Sequence, residues 1–142
     1  MAKDSKSTDP ADKLVVVVDD DDGIRELLEF VVKKEGFKIA MASDGQEGLD
    51  KIQELKPDLV ILDLMLPRYG GFEILRQLQA GETSKIPIIV ITGRYTDRAT
   101  IEMIRQESNV MDFIEKPIKT IPLSVTMHKI LKTQSVSSNG AS

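Results

Sequence analysis

The chain has 142 residues, enough for one domain with a core of its own and no covalent staples. Its net charge of −4 gives no electrostatic footprint for general binding to nucleic acid or anionic membranes. The absence of cysteine removes disulfides, thiolate metal sites and cysteine nucleophiles, and the single histidine, His128, removes a histidine metal cluster.

Residues 1–12 (MAKDSKSTDPAD) are small, charged and interrupted by Pro10, and predict a disordered lead-in without the apolar stretch of a signal peptide. Residues 133–142 (TQSVSSNGAS) predict a disordered tail in the same way. The folded part is expected at 13–132, and no output domain is expected in the chain. No apolar run approaches the ~18 residues needed to span a bilayer. A cytoplasmic chain with no membrane association is therefore expected.

In chain order, Leu14–Val18 is a β-branched strand bounded by acids. Gly23 to Lys34 is helical, with Ile24, Leu27, Leu28, Val31 and Val32 at helical spacing, and Gly36 ends it. A second strand is predicted at 37–42. Asp44 caps the next helix, with Glu47 placed for a capping box, an apolar stripe of Leu49, Ile52 and Leu55, and Pro57 as the stop. Asp58–Asp63 is a third strand. Gly71–Ala80 is helical with Phe72, Ile74, Leu75 and Leu78 inward. Ile86–Thr92 is a fourth strand. Thr96 or Asp97 caps a helix reaching about Glu107, and Val110–Glu115 is a fifth strand. Pro122 sits in the first turn of a last helix that ends near Lys132. The strands at 14–18, 59–62 and 88–91 are apolar at nearly every position, as strands buried on both faces are. Five βα repeats with right-handed crossovers imply an α/β, three-layer doubly wound fold on a parallel five-stranded sheet.

In such a sheet ligands bind beyond the carboxyl ends of the strands. The first strand runs into Asp19, Asp20, Asp21 and Asp22, the third ends in Asp63, the fourth in Thr92, and Lys116-Pro117 follows the fifth. Singly, each has a plain structural role: helix capping for the aspartates, loop capping for Asp63, backbone bonding for Thr92, a solvated charge for Lys116. Together they gather carboxylates, a hydroxyl and an ammonium at one edge from four strands. Crowded carboxylates repel unless a cation compensates, and Mg²⁺ suits one or two carboxylates, waters and a phosphate oxygen. One carboxylate could then take a phosphoryl group as an aspartyl phosphate, with Lys116 and Thr92 supporting the transferring oxygens.

The stretches VVVVDDDDGIRELL, DLVILDLMLPRYGGFEIL, IPIIVITG and MDFIEKPI, covering about residues 14–119, resemble the receiver domain of two-component response regulators. The resemblance implies a flavodoxin-like (βα)5 fold with strand order 2-1-3-4-5. It implies that Asp63 is the phosphoacceptor. Asp20 and Asp63 would bind Mg²⁺ directly, Asp19 would act through water, the carbonyl of Met65 would complete the protein ligands, and Mn²⁺ could substitute. Thr92 would contact the phosphoryl group, Lys116 would pair with it, and Phe113 stands at the aromatic switch position. Met65 and Arg94 occupy the two variable positions that tune hydrolysis, and Met65, unable to orient a water, implies slow loss of phosphate.

The implied donor is a histidine kinase or histidine phosphotransfer protein, and the implied output is a protein target on the face around residues 93–122. No nucleic-acid partner is expected, and the chain is expected to be a monomer or a weak phosphorylation-dependent dimer. Three positions depart from the family pattern: Gly93 after Thr92, Gly70-Gly71 in the loop after Pro67, and Asn109 where Gly is frequent, Asn being tolerant of the left-handed conformation. The alternative reading, a small Mg²⁺-dependent phosphotransferase, lacks the second carboxylate two residues after the nucleophile, where Met65 stands, and has no room for a substrate cap.

Overall fold

The computed structural model describes residues 7–66, 70–93 and 97–134. The chain alternates β1 (Leu14–Val18), α1 (Asp22–Lys34), β2 (Lys38–Ala42), α2 (Gly45–Leu55), β3 (Leu59–Asp63), α3 (Gly71–Leu78), β4 (Ile88–Thr92), α4 (Arg98–Arg105), β5 (Val110–Glu115) and α5 (Thr120–Leu131). The strands pair in parallel in the order β2-β1-β3-β4-β5, the flavodoxin-like arrangement. Because side chains alternate across a strand, β1 sends Val15 and Val17 to one face and Val16 and Val18 to the other. Leu28, Val31 and Val32 of α1 and Leu123, Met127 and Leu131 of α5 cover the first face. Leu49 and Ile52 of α2, Ile74, Leu75 and Leu78 of α3, and Ile104 of α4 cover the second. The three central strands are thus buried on both sides, which is why they carry apolar residues without alternation.

The helix ends follow local chemistry. Asp21 caps α1 by accepting the Ile24 N–H, and Gly36, at φ 91°, closes its far end. Asp44 accepts the Glu47 N–H at the start of α2, but the Glu47 carboxylate reaches back to the N–H of Ser43, one residue before the cap, so the box is displaced by one position. Asp97 caps α4 through the Thr100 N–H. Thr96, the other candidate cap, lies outside the described residues, as do Pro67 and Arg94.

Several expectations need correcting. Phe72 is exposed rather than inward: at 100° per residue it lies about 200° around α3 from Ile74, off the buried stripe. Leu55, the last residue of α2, lies beyond the buried pair Leu49 and Ile52 and is exposed. Part of the lead-in is ordered: Pro10–Asp12 form a 3-10 turn capped by Asp9, with Pro10 buried. Thr133, assigned to the tail, is tied to α5 through the His128 carbonyl. Asn109 is not in the left-handed region. It is buried, its amide donates to the Ile86 carbonyl at 2.9 Å and its oxygen accepts from Gln79 at 3.0 Å, so it replaces glycine through its side chain. Residues 1–6 and 135–142 lie outside the described residues.

Gly71, which opens α3, is a point of close approach. A Cβ there would stand 2.7 Å from Leu64 Cα and 2.8 Å from the Asp63 carbonyl oxygen. Gly71→Ala is expected to lower stability by about 1–3 kcal/mol by pressing on the backbone that carries Asp63. Urea unfolding measures this, and an unchanged midpoint would show that the loop gives way freely.

Candidate functional site

In a parallel sheet every strand delivers its last residue to the same edge. Asp19 and Asp20 follow β1, Asp63 ends β3, Thr92 ends β4 and Lys116 follows β5. Backbone bonds continue the sheet just past its end and fix these residues: Asp19 N–H to Ala42 O at 3.1 Å, Leu64 N–H to Ile91 O at 3.0 Å and Lys116 N–H to Thr92 O at 3.0 Å. Arg25 adds a tie from α1, donating to the Asp19 carbonyl at 2.8 Å while pairing with Asp22.

The three acids converge. Asp19, Asp20 and Asp63 each offer a carboxylate oxygen within 4.8 Å of the others. Asp19 and Asp63 are buried and Asp20 is exposed, so the pocket opens to solvent on one side. Asp63 Oδ1 accepts the Met65 N–H at 3.0 Å, and Oδ2 lies 3.5 Å from Lys116 Nζ. Asp19 Oδ1 accepts the Asp21 N–H at 2.9 Å. Its Oδ2 is buried without a hydrogen-bond partner, the Lys116 ammonium being 3.9 Å away.

Among the described residues, Lys116 is the ammonium beside these acids, 3.5 Å from Asp63 and 3.9 Å from Asp19. Burial pushes the Asp19 carboxyl up to about 6; the Asp21 N–H and Lys116 act against the shift, and the neighbouring charges of Asp63 and Asp20 add to it. A buried carboxylate oxygen without a donor is costly, and a hard divalent cation is the partner that such an all-oxygen set accommodates. The residues present fit Mg²⁺.

The other candidate residues are placed as follows. Thr92 is buried at the end of β4, one position past Ile91, which pairs with Asp63. Phe113 pairs with Val90, half-buried against the layer covered by α2 to α4. The Met65 side chain is exposed, and only its N–H is shown to reach the acids. Arg94 lies outside the described residues.

Three features are not legible in the sequence pattern. Arg25 was signalled only by its i,i+3 spacing from Asp22. Arg105 places its guanidinium 4.9 Å from the Phe113 ring centre, a stacking across α4 and β5 that no spacing rule announces. His128 is buried, 2.8 Å from Glu35, with Thr133 on its other ring nitrogen at 2.7 Å, so the lone histidine locks α1 to α5.

Fold and site together define a doubly wound α/β domain with an acidic, lysine-bearing pocket at the carboxyl edge of its sheet. The model of the response regulator receiver domain matches residues 15–128, and the chain belongs to that family. Among relatives, the transcriptional regulatory protein AfsQ1 of Streptomyces coelicolor is 34% identical over 118 residues, 83% of this chain and 51% of the relative. The DNA-binding response regulator MtrA of Mycolicibacterium smegmatis is 41% identical over 105 residues, 74% of this chain and 44% of the relative. The chain spans about half the length of these curated relatives. Among solved structures, the receiver domain of a Francisella response regulator superposes with a TM-score of 0.74 at 25% identity, covering 84% of this chain and 97% of that one. Among the described residues no helix is long and apolar enough to cross a membrane.

The raised Asp19 value has a signed consequence for the protein kept in chelator. Between about pH 4 and 6 the folded state holds a proton on Asp19 that the unfolded chain releases, so this residue makes stability fall as pH rises through that window. Asp19→Asn is expected to remove that contribution and to stabilise the chelated protein at pH 7 by about 1–3 kcal/mol relative to wild type. Urea unfolding at pH 4.5 and 7 (about the edges of the window) gives the difference; parallel pH dependences for the two proteins would refute it.

Proposed function

We propose that this receiver domain is a Mg²⁺-dependent phosphoacceptor whose phosphorylation on Asp63 changes a protein-binding surface. The observation that carries the reading is the gathering of the Asp19, Asp20 and Asp63 carboxylates within 4.8 Å, with Lys116 Nζ 3.5 Å from Asp63 Oδ2. Asp20 and Asp63 would hold the ion directly, Asp19 through water, and the Met65 carbonyl would complete the set. When bound, Mg²⁺, or Mn²⁺ in its place, supplies the positive charge that offsets the crowded acids and the incoming phosphoryl oxygens.

A histidine kinase or histidine phosphotransfer protein is the donor. An Asp63 carboxylate oxygen forms the new bond to phosphorus as the phosphorus–nitrogen bond to the donor imidazole breaks, and the nitrogen keeps the electron pair. Lys116, already beside Asp63, pairs with the added charge. The Thr92 hydroxyl binds the phosphoryl group, and its movement frees space into which Phe113 turns. The face around residues 93–122 then presents a different surface to its target, a shift between two packings of one fold.

Receiver domains are generally signalling modules rather than enzymes. The phosphotransferase alternative gains nothing from the geometry, since Met65 offers no acid two residues after Asp63 and its side chain faces solvent. The expectation against nucleic acid draws no support from the relatives, one of which is named as DNA-binding, and it speaks only for the residues present.

Incubation with Mg²⁺ and a small acyl phosphate is expected to add the mass of one phosphoryl group. Asp63→Asn, folded by circular dichroism, is expected to abolish the gain, and chelation to suppress it. A gain that survives in Asp63→Asn moves the acceptor elsewhere. Met65 and Arg94 are assigned to the tuning of hydrolysis. The phosphoprotein is therefore expected to last minutes to hours, on the order of 10-fold longer than a Met65→Glu variant able to orient a water. Mass spectrometry over time gives both lifetimes, and a wild-type half-life of seconds would contradict the role given to Met65.

A further inference from the structure

The acid pocket leaves the α1–α5 side of the molecule unused, and that side carries an apolar surface without a cover. In α5, Leu123, Met127 and Leu131 point into the core, yet the opposite stripe begins apolar, with Ile121 77% and Val125 63% exposed before Lys129 continues it. That outer apolar stretch is a second surface that the core does not bury. Across from it α1 presents Phe30, 63% exposed. Between them runs a groove of about 320 Å³ whose lining includes Phe30, Lys34, Ile121, Ser124 and Val125.

The charges beside Phe30 indicate what fits there. Glu26 lies four residues before Phe30 and Lys34 four residues after it, on one stripe of α1. Both are exposed. Among the described residues Glu26 makes no ion pair, and the Lys34 ammonium stands over the Phe30 ring, 6.0 Å from its centre. Acid and base are equidistant from the aromatic. When two α1 helices cross antiparallel at Phe30, each Glu26 therefore meets the other Lys34, and the contact forms twice. That is the self-complementarity of a two-fold interface.

We infer that the α1–α5 groove is a self-association surface, occupied by Phe30 of a second copy of this chain with two reciprocal Glu26–Lys34 pairs at its flanks. The inference does not depend on phosphorylation or on a metal ion.

Sedimentation equilibrium of the full chain, from about 5 to 500 µM in chelator, is expected to show a monomer–dimer equilibrium. Glu26→Lys and Lys34→Glu are each expected to weaken the dimer by ~10-fold, because two attractive contacts become repulsive. The double exchange Glu26→Lys/Lys34→Glu is expected to return within ~3-fold of wild type. Phe30→Ser is expected to leave a monomer; should it fail to fold, the charge exchanges still decide. A wild-type chain that stays monomeric throughout, or a dimer indifferent to the charge exchanges, overturns the inference. So does a monomer that uses Phe30 only to bind a helix of a phosphodonor protein.

Discussion

The site depends on the crowding of three carboxylates at one edge of an apolar sheet. β3 and β4 are buried throughout and β1 from Val15 onward, so the acids Asp19 and Asp63 at their ends are buried with them. There they deliver Asp19 and Asp63, with Asp20 alongside and Lys116 as the facing cation. The sheet gathers the acids, and the backbone bonds beyond its strands hold them in place, in an arrangement that could hold a metal ion. The same apolar strands that stabilise the fold raise the cost of the unfilled site, a stability–function tension common to catalytic and switching pockets.

Sequence pattern read the scaffold well because burial on two faces leaves a plain trace. The β-branched run at Val15–Val18 and the run at Ile88–Ile91 stand where β1 and β4 lie, and strands β1 and β5 have the expected ends. The gathering of the acids and Lys116 is legible in the sequence because a parallel sheet brings strand ends to one edge, so position in the chain becomes position in space. The strand order followed from the family resemblance and agrees with the structure.

What escaped the sequence lies between elements. Phe72 and Leu55 are apolar residues that the helix phase or the helix end places outside, and counting apolar positions without their angle brings them in. The Phe113–Arg105 stacking and the His128–Glu35 pair join residues whose approach depends on how helices lie against strands. The sequence suggests a backbone role for Asn109, whereas its amide is what the structure uses. A short buried amide offers both a donor and an acceptor, and only the packed neighbourhood reveals which matters.

That amide has a mechanical meaning. By bonding Ile86 ahead of β4 and Gln79 at the end of α3, Asn109 rivets three chain segments at the amino-terminal edge of the sheet, the end opposite the acids. The start of β5 is thereby tied to the segments that lead into β4 and out of α3, at the edge of the sheet farthest from Thr92 and Lys116.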